Sequence, residues 1–386
     1  MKFKKSLKTI LIVLVALNVL VFVTGNTHLY KGIANTYLKG RSGPDIDELD
    51  IFPSREFEAR NPIPWKQSNN TQELSEDFEK YLDSLETVGF LVIKNDSILH
   101  ESYWEGWNED KVSNSFSMGK TFMSVLIGIA IHEGLIESED DPVYKYLPQY
   151  EEGKNKELTI KHLLTMSSGM DFDESYGNPF GFNAKAFYGD DLPSLVEGYS
   201  VIEDPGKEFK YLSGNTQILV FLLEKVTQKS VGQYAQEKLW SKIGAEKSAY
   251  WILDKEGGHE KGFTGVYATA RDYAKMGRLY MNGGSVYGNK LLNPKYVFNS
   301  ITPAKLIGED GKPLTEYGYS WWLLEYKKQK VFYMRGILGQ YVICLPQKNT
   351  IIVRLGRKRA EKSDGKHPDD VYFYIDEALK MVNQKK

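Results

Sequence analysis

The chain has one cysteine, Cys344, among its 386 residues, so no internal disulfide can form and no C-x-x-C redox or zinc motif exists. An excess of either charge is also missing. Lys and Arg total 49 against 51 Asp and Glu, a net of -2, and no basic run beyond the N-terminus offers a stripe for nucleic acid. The motifs G-x-S-x-G and H-E-x-x-H are both absent, which argues against a Ser-His-Asp α/β-hydrolase and against a zinc protease. The six histidines show no ligand spacing, and His162 and His259 read as polar or capping residues. Neither a metal nor an organic cofactor is expected. No repeat of fixed period is found. What remains is a chain with 41% hydrophobic and 13% aromatic residues, long enough to bury a large core in one big domain or two closely joined ones.

The first 25 residues carry a separate instruction. Lys2, Lys4, Lys5 and Lys8 precede an apolar run at 10–23 that ends at Thr24-Gly25, the layout of an export signal or membrane anchor. The run is intermediate in length between a signal segment and a full span. Retention as an anchor, with the positive flank inside and the bulk of the chain on the outer side of the cell envelope, is the preferred reading. Residues 26–77 are polar and contain Pro44, Pro53, Pro62 and Pro64, which reads as a linker or arm along a domain surface. Residues 78–386 form the main domain.

Within that domain, the apolar run at 88–94 and the segment Ile98-Leu-His-Glu-Ser-Tyr103 flank the turn Asn95-Asp-Ser97 and predict a hairpin. Met118, Phe122, Val125, Leu126 and Ile129 recur at helical spacing and predict a buried helix over 117–135. Helical patterns follow at 159–166, 215–227, 231–243 and 268–281. Strand patterns return at 317–325, 331–334, 340–345 and 350–355, with Cys344 read as a buried strand residue, before a last helix at 370–381. The expected fold is α/β, of the α+β type: an antiparallel sheet built from both chain ends, flanking helices, and a mostly helical lobe at about 140–300.

Ser117-Met-Gly-Lys120 opens the buried helix, and a three-residue spacing brings both side chains to one face. A serine hydroxyl needs an adjacent base to act as nucleophile, and a lysine held among apolar neighbours can supply one. The helix N-terminus adds free N–H groups where an oxyanion would form. Alone, S-x-x-K is only two fixed residues, and an N-cap serine with a surface lysine is the leading account of it.

Three further elements decide between these readings. The segment 159–169 (TIKHLLTMSSG), Pro205-Gly206 followed by Tyr211-Leu-Ser213, and Arg335-Gly-Ile-Leu-Gly-Gln340 follow in order, with Tyr267-Ala-Thr-Ala-Arg-Asp-Tyr273 between the last two. Together with SMGK they resemble the β-lactamase-related serine hydrolases and penicillin-binding proteins over about residues 85–382, and most of all the branch of esterases and 6-aminohexanoate-oligomer hydrolases. The resemblance implies a β-lactamase/transpeptidase-like fold. It also implies roles: Ser117 attacks a carbonyl, Lys120 and Tyr211 shuttle its proton, and the backbone N–H groups of Ser117 and Ile337 hold the oxyanion. Tyr176, Ser213, Arg335 and Gly336 would contact the substrate.

Two departures limit the inheritance. Ser213 stands where many relatives have Asn, and Arg335-Gly336 replaces the usual Lys or His followed by a small residue and Gly, so β-lactam hydrolysis does not follow. No glutamate is marked as a deacylating base. The implied activity is therefore carboxylesterase- or amidase-like, on a small ester, amide or peptide-like substrate.

Gly119-Lys120-Thr121 also matches the end of a phosphate-binding loop, but the first glycine that motif requires would fall at Asn114. A catalytically inactive protein of the same fold, binding at the cell envelope, is the alternative. The presence of Ser117, Lys120 and Tyr211 together speaks against it.

Overall fold

Strands from the two chain ends pair side by side in the computed structural model, which describes residues 2–383. The chain begins with α1 (Lys2–Val23), whose stretch 6–23 is exposed and is long and apolar enough to cross a membrane. The side chains of Lys2, Lys4 and Lys5 lie outside the described ones. A short helix α2 (His28–Asn35), strands β1 (Ser54–Phe57) and β2 (Lys66–Gln67), and helix α3 (Glu76–Ser84) lead into the hairpin β3 (Thr87–Lys94) and β4 (Ser97–Tyr103). The central elements are β5 (Ser113–Asn114), α4 (Met118–His132), α5 (Phe182–Tyr188), α6 (Ser213–Thr227), β6 (Ala249–Ile252), β7 (Val266–Ala268) and α7 (Ala270–Met281). The chain closes with β8 (Trp322–Tyr326), β9 (Gln329–Gly336), β10 (Gln340–Leu345), β11 (Thr350–Gly356) and α8 (Asp369–Asn383).

The main sheet has the order β8-β9-β10-β11-β3-β4-β2. Its closing contact is the antiparallel pair β11 and β3, with Val353 opposite Leu91, which joins the last strands to the first hairpin. Side chains alternate between two cores, as a period of two requires. Leu91 and Ile93 of β3 and Val342 and Cys344 of β10 face the helical lobe. Phe90, Val92, Tyr341 and Ile343 face α3 and α8 on the other side. Cys344 is wholly buried, and burial pushes its thiol well above its ordinary pKa. Helix α7 crosses closely over it: a Cβ at Gly277 would lie 2.7 Å from Cys344 Sγ.

Four features depart from the expectation. The short edge strand β2 runs parallel to β4, so the sheet is mixed. Strand β8 begins only at Trp322, because the chain turns between Tyr317 and Trp322, with Ser320 at a φ of 60°. The helical lobe contains a second sheet in the order β1-β6-β7-β5, whose strands of two to four residues are too short for periodicity to reveal. Residues 26–77 also do more than lie on the surface. They supply β1, and Ile46, Phe52, Phe57 and Trp65 are all buried in the core facing the helices.

Candidate active site

The start of α4 is held in one unusual backbone conformation. Phe116, just before Ser117, has a φ of 43°, a left-handed conformation that is rare for a bulky side chain. Its N–H donates to Asn114 Oδ1 at 2.8 Å, and Asn114 Nδ2 donates to the Tyr267 hydroxyl at 3.1 Å. Ser115 N–H donates to the Val266 carbonyl at 2.7 Å. These contacts fasten the turn to β7 and leave Ser117, half-buried, at the N-cap position of α4.

One turn on, Lys120 is buried. Its Nζ donates to Ser117 Oγ at 3.0 Å and to the Phe263 carbonyl at 3.2 Å. Gly119 makes the second contact possible: a Cβ there would sit 3.2 Å from the Thr264 backbone, tighter than that backbone tolerates without shifting. Tyr211, just ahead of α6, lies beside the amine, with Lys120 Nζ 4.8 Å from the ring centroid. Tyr211 packs on Trp322 at 5.6 Å between centroids and edge-on against Tyr317 at 6.0 Å. Burial, with Tyr211 alongside, pushes the Tyr317 phenol well above its ordinary range, so it stays neutral there.

A cavity of about 550 Å³ opens at Ser117 and is also lined by Tyr176, Ser213 and Ile337. Ile337 reaches it because β9 ends on the Ser117 turn. A side chain at Gly336 would overlap the Ser115 carbonyl, so Gly336 is a packing residue that brings Ile337 to the cavity. The following turn, with Leu338 at a φ of 62°, is held by the fully buried Arg354, which donates to the Leu338 and Gly339 carbonyls at 3.0 and 2.9 Å.

Arg335 is placed elsewhere. Its guanidinium lies over Trp322, 3.1 Å from the ring centroid, and Nη1 donates to the Lys366 carbonyl at 3.0 Å; it does not line the Ser117 cavity. Trp322 thus sits between Arg335 and Tyr211 and steadies both.

Sequence reasoning missed Glu174. Its carboxylate accepts from Ser213 N–H and from Ser213 Oγ, both at 2.6 Å, and from the Tyr176 hydroxyl at 3.2 Å. It therefore caps the N-terminus of α6, where a negative charge is favoured, and ties two cavity-lining residues together. The loop glutamate two residues before Tyr176 was the only available signal, and its partner lies 39 residues away. Two resemblance motifs serve the fold. Thr269 and Asp272 bond reciprocally at the start of α7. His162 closes a capping box with Thr159.

The β-lactamase family model matches residues 74–374. The 6-aminohexanoate-dimer hydrolase of Paenarthrobacter ureafaciens is 26% identical over 303 residues, covering 72% of this chain and 74% of that protein. A solved Bacillus anthracis protein, provisionally assigned as a 6-aminohexanoate-dimer hydrolase, superposes with a TM-score of 0.73 at 20% identity, over 87% of this chain and 92% of its own. The hydrolase EstCE1, described as having promiscuous acyltransferase activity, superposes with a TM-score of 0.59 at 15% identity, over 79% and 96%. At these identities the two structures speak for the fold.

Proposed function

Because the chain belongs to the β-lactamase family, we propose that it is a serine hydrolase that opens an ester or amide bond through an acyl-enzyme on Ser117. The observation that carries this reading is the 3.0 Å contact between Lys120 Nζ and Ser117 Oγ at the cavity wall. With one amine N–H held by the Phe263 carbonyl, the Lys120 amine is aimed at the serine hydroxyl, where it can take the proton as base. Ser117 Oγ then bonds to the substrate carbonyl carbon as its proton passes to Lys120. The carbonyl oxygen becomes an oxyanion beside the Ser117 and Ile337 backbones. Collapse breaks the bond to the leaving group, which takes the proton from Lys120 by way of the Tyr211 hydroxyl. Water adds to the acyl-enzyme by the reverse proton path and releases the acid and free Ser117.

In this reading Ser213 and Tyr176, both tied to Glu174, border the substrate, and Arg335 does not bind it. The apolar α1 anchors the chain, and the hydrolase domain lies on the outer side of the envelope.

Treatment of the full-length protein with a fluorophosphonate tests the assignment. The modification should map to the peptide containing Ser117. A folded protein that never reacts there would instead be a non-catalytic binding member of the family.

A further inference from the structure

Helix α2 stands between the apolar α1 and the hydrolase domain, and it is docked. The His28 ring nitrogen Nε2 bonds to the Pro179 carbonyl at 2.8 Å, and burial lowers the His28 pKa, so Nε2–H of the neutral ring is the donor. Gly32 lets the helix approach α5: a Cβ there would lie 3.3 Å from the Tyr188 ring. Phe52 meets Phe187 edge-on at 5.2 Å between centroids. Beyond α2, Arg357 forms ion pairs with Asp45 and with Asp47, the latter at 2.9 Å. The segment 28–44 is thereby fixed as one wall of the Ser117 cavity.

That wall changes what the cavity can hold. Leu29 and Ile33 of α2 face the same space as Phe116, Phe187, Phe263 and Ile337, and none of the described residues lining it is Asp, Glu, Lys or Arg. Of the polar groups that line it, His28 is engaged by Pro179 and Ser213 by Glu174, while Asn183 Nδ2 and the Tyr188 hydroxyl are buried without a hydrogen-bond partner, two neutral groups and no charge. A substrate with a free carboxylate or ammonium near the scissile bond would lose its hydration there without an opposite charge to replace it. A hydrocarbon chain would lose nothing and gain burial.

The position of the wall supplies a source for such a chain. Only residues 24–27 separate α1 from α2, a reach of under ~20 Å even when fully extended. Tyr30 of α2 also donates to Asn18 Oδ1 of α1 at 2.8 Å. Around the cavity, Ile33, Tyr37, Tyr176 and Phe180 are exposed, and Leu38 is 78% exposed, an apolar collar next to a membrane-length helix.

We infer that the cavity takes the hydrocarbon chain of an amphiphilic ester or amide drawn from the membrane that α1 enters, with α2 forming the chain-binding wall. This rests on the hydrolase and anchor readings above. The step is the acyl transfer already described: the chain-bearing acyl group passes to Ser117 Oγ, the alcohol or amine leaves protonated, and water releases the fatty acid.

The test uses full-length protein in phosphatidylcholine vesicles, with p-nitrophenyl acetate, butyrate and octanoate and a monoacylglycerol held in the bilayer. Each methylene buried is worth up to ~fourfold, so kcat/KM should rise on the order of a hundredfold from butyrate to octanoate. Cleavage of the bilayer-held monoacylglycerol is expected. Ile33→Ser with Leu29→Ser, and separately Gly32→Leu, should lower the octanoate rate at least ~tenfold more than the acetate rate. A flat or falling chain-length profile, with acetate still cleaved and Ser117 still labelled, overturns the inference and leaves the hydrolase reading standing. Cleavage of soluble octanoate but not of the bilayer-held ester overturns the membrane source. A folded protein that cleaves no ester and takes no fluorophosphonate overturns both readings.

Discussion

Gly336 packs directly on the carbonyl of Ser115, leaving no room for a Cβ between them. This contact joins the end of β9 to the turn that presents Ser117, and so sets the distance between Ser117 and the Ile337 backbone. Gly336→Ala is expected to cost about 1–3 kcal/mol of stability by overpacking. Turnover of a short ester should fall by more than ~tenfold, because small misplacements at a reacting centre are expensive. Urea unfolding and initial rates measure the two effects. An alanine variant with both unchanged would show that the strand end moves freely.

Ser117→Ala should abolish hydrolysis, and Lys120→Ala should be nearly as severe, since removing either half of a coupled nucleophile and base loses most of the effect. The double variant should then be no worse than Ser117→Ala. Rates on a p-nitrophenyl ester decide it, and substantial activity in Lys120→Ala would remove Lys120 from the mechanism.

Glu174 serves structure and site together. Glu174→Ala is expected to destabilise by about 1 kcal/mol through loss of the α6 cap. It should lower kcat as well, because Ser213 and Tyr176 lose their shared partner. Glu174→Gln keeps an acceptor for the Ser213 N–H and should recover most of the stability. Equal stability for the alanine and glutamine variants would argue that the cap contributes nothing.

Lys261 is fully buried behind α5, where its Nζ donates to the Ala186 and Gly189 carbonyls at 2.7 and 2.9 Å. Burial pulls its pKa down to about 7, partly offset by Asp254. Between about pH 7 and the ordinary lysine range near 10.4 the unfolded chain binds a proton that the folded chain does not. The contribution of this group to stability therefore rises with pH across that window and is constant below it. Chemical denaturation at pH values spanning the window should show the rise. Lys261→Met should flatten it, and an unchanged profile would place the effect elsewhere.

Much of this protein is written locally. The first hairpin strand and the last three strands follow from apolar runs, because a strand buried on both faces must be apolar along most of its length. The SMGK spacing places Ser117 and Lys120 together because three residues along a helix return to the same face. Only the agreement of several distant motifs raised that pair above an ordinary helix start. The short strands of the second sheet escaped notice because two to four residues carry no measurable period. Arg335 read as a substrate ligand because its stacking partner Trp322 could not be located from sequence.

The sequence by itself determined that Ser117 and Lys120 share one helix face, most strands of the main sheet and the apolar N-terminal helix, all of which rest on contacts between near neighbours or on composition. Only the tertiary structure decided that Glu174 caps α6, that Gly336 seats Ile337 beside Ser117, and that residues 28–44 wall the cavity. The reason is separation along the chain. His28 meets Pro179 across 151 residues and Arg357 meets Asp45 across 312, and no local pattern encodes which side chains folding will bring together at that range.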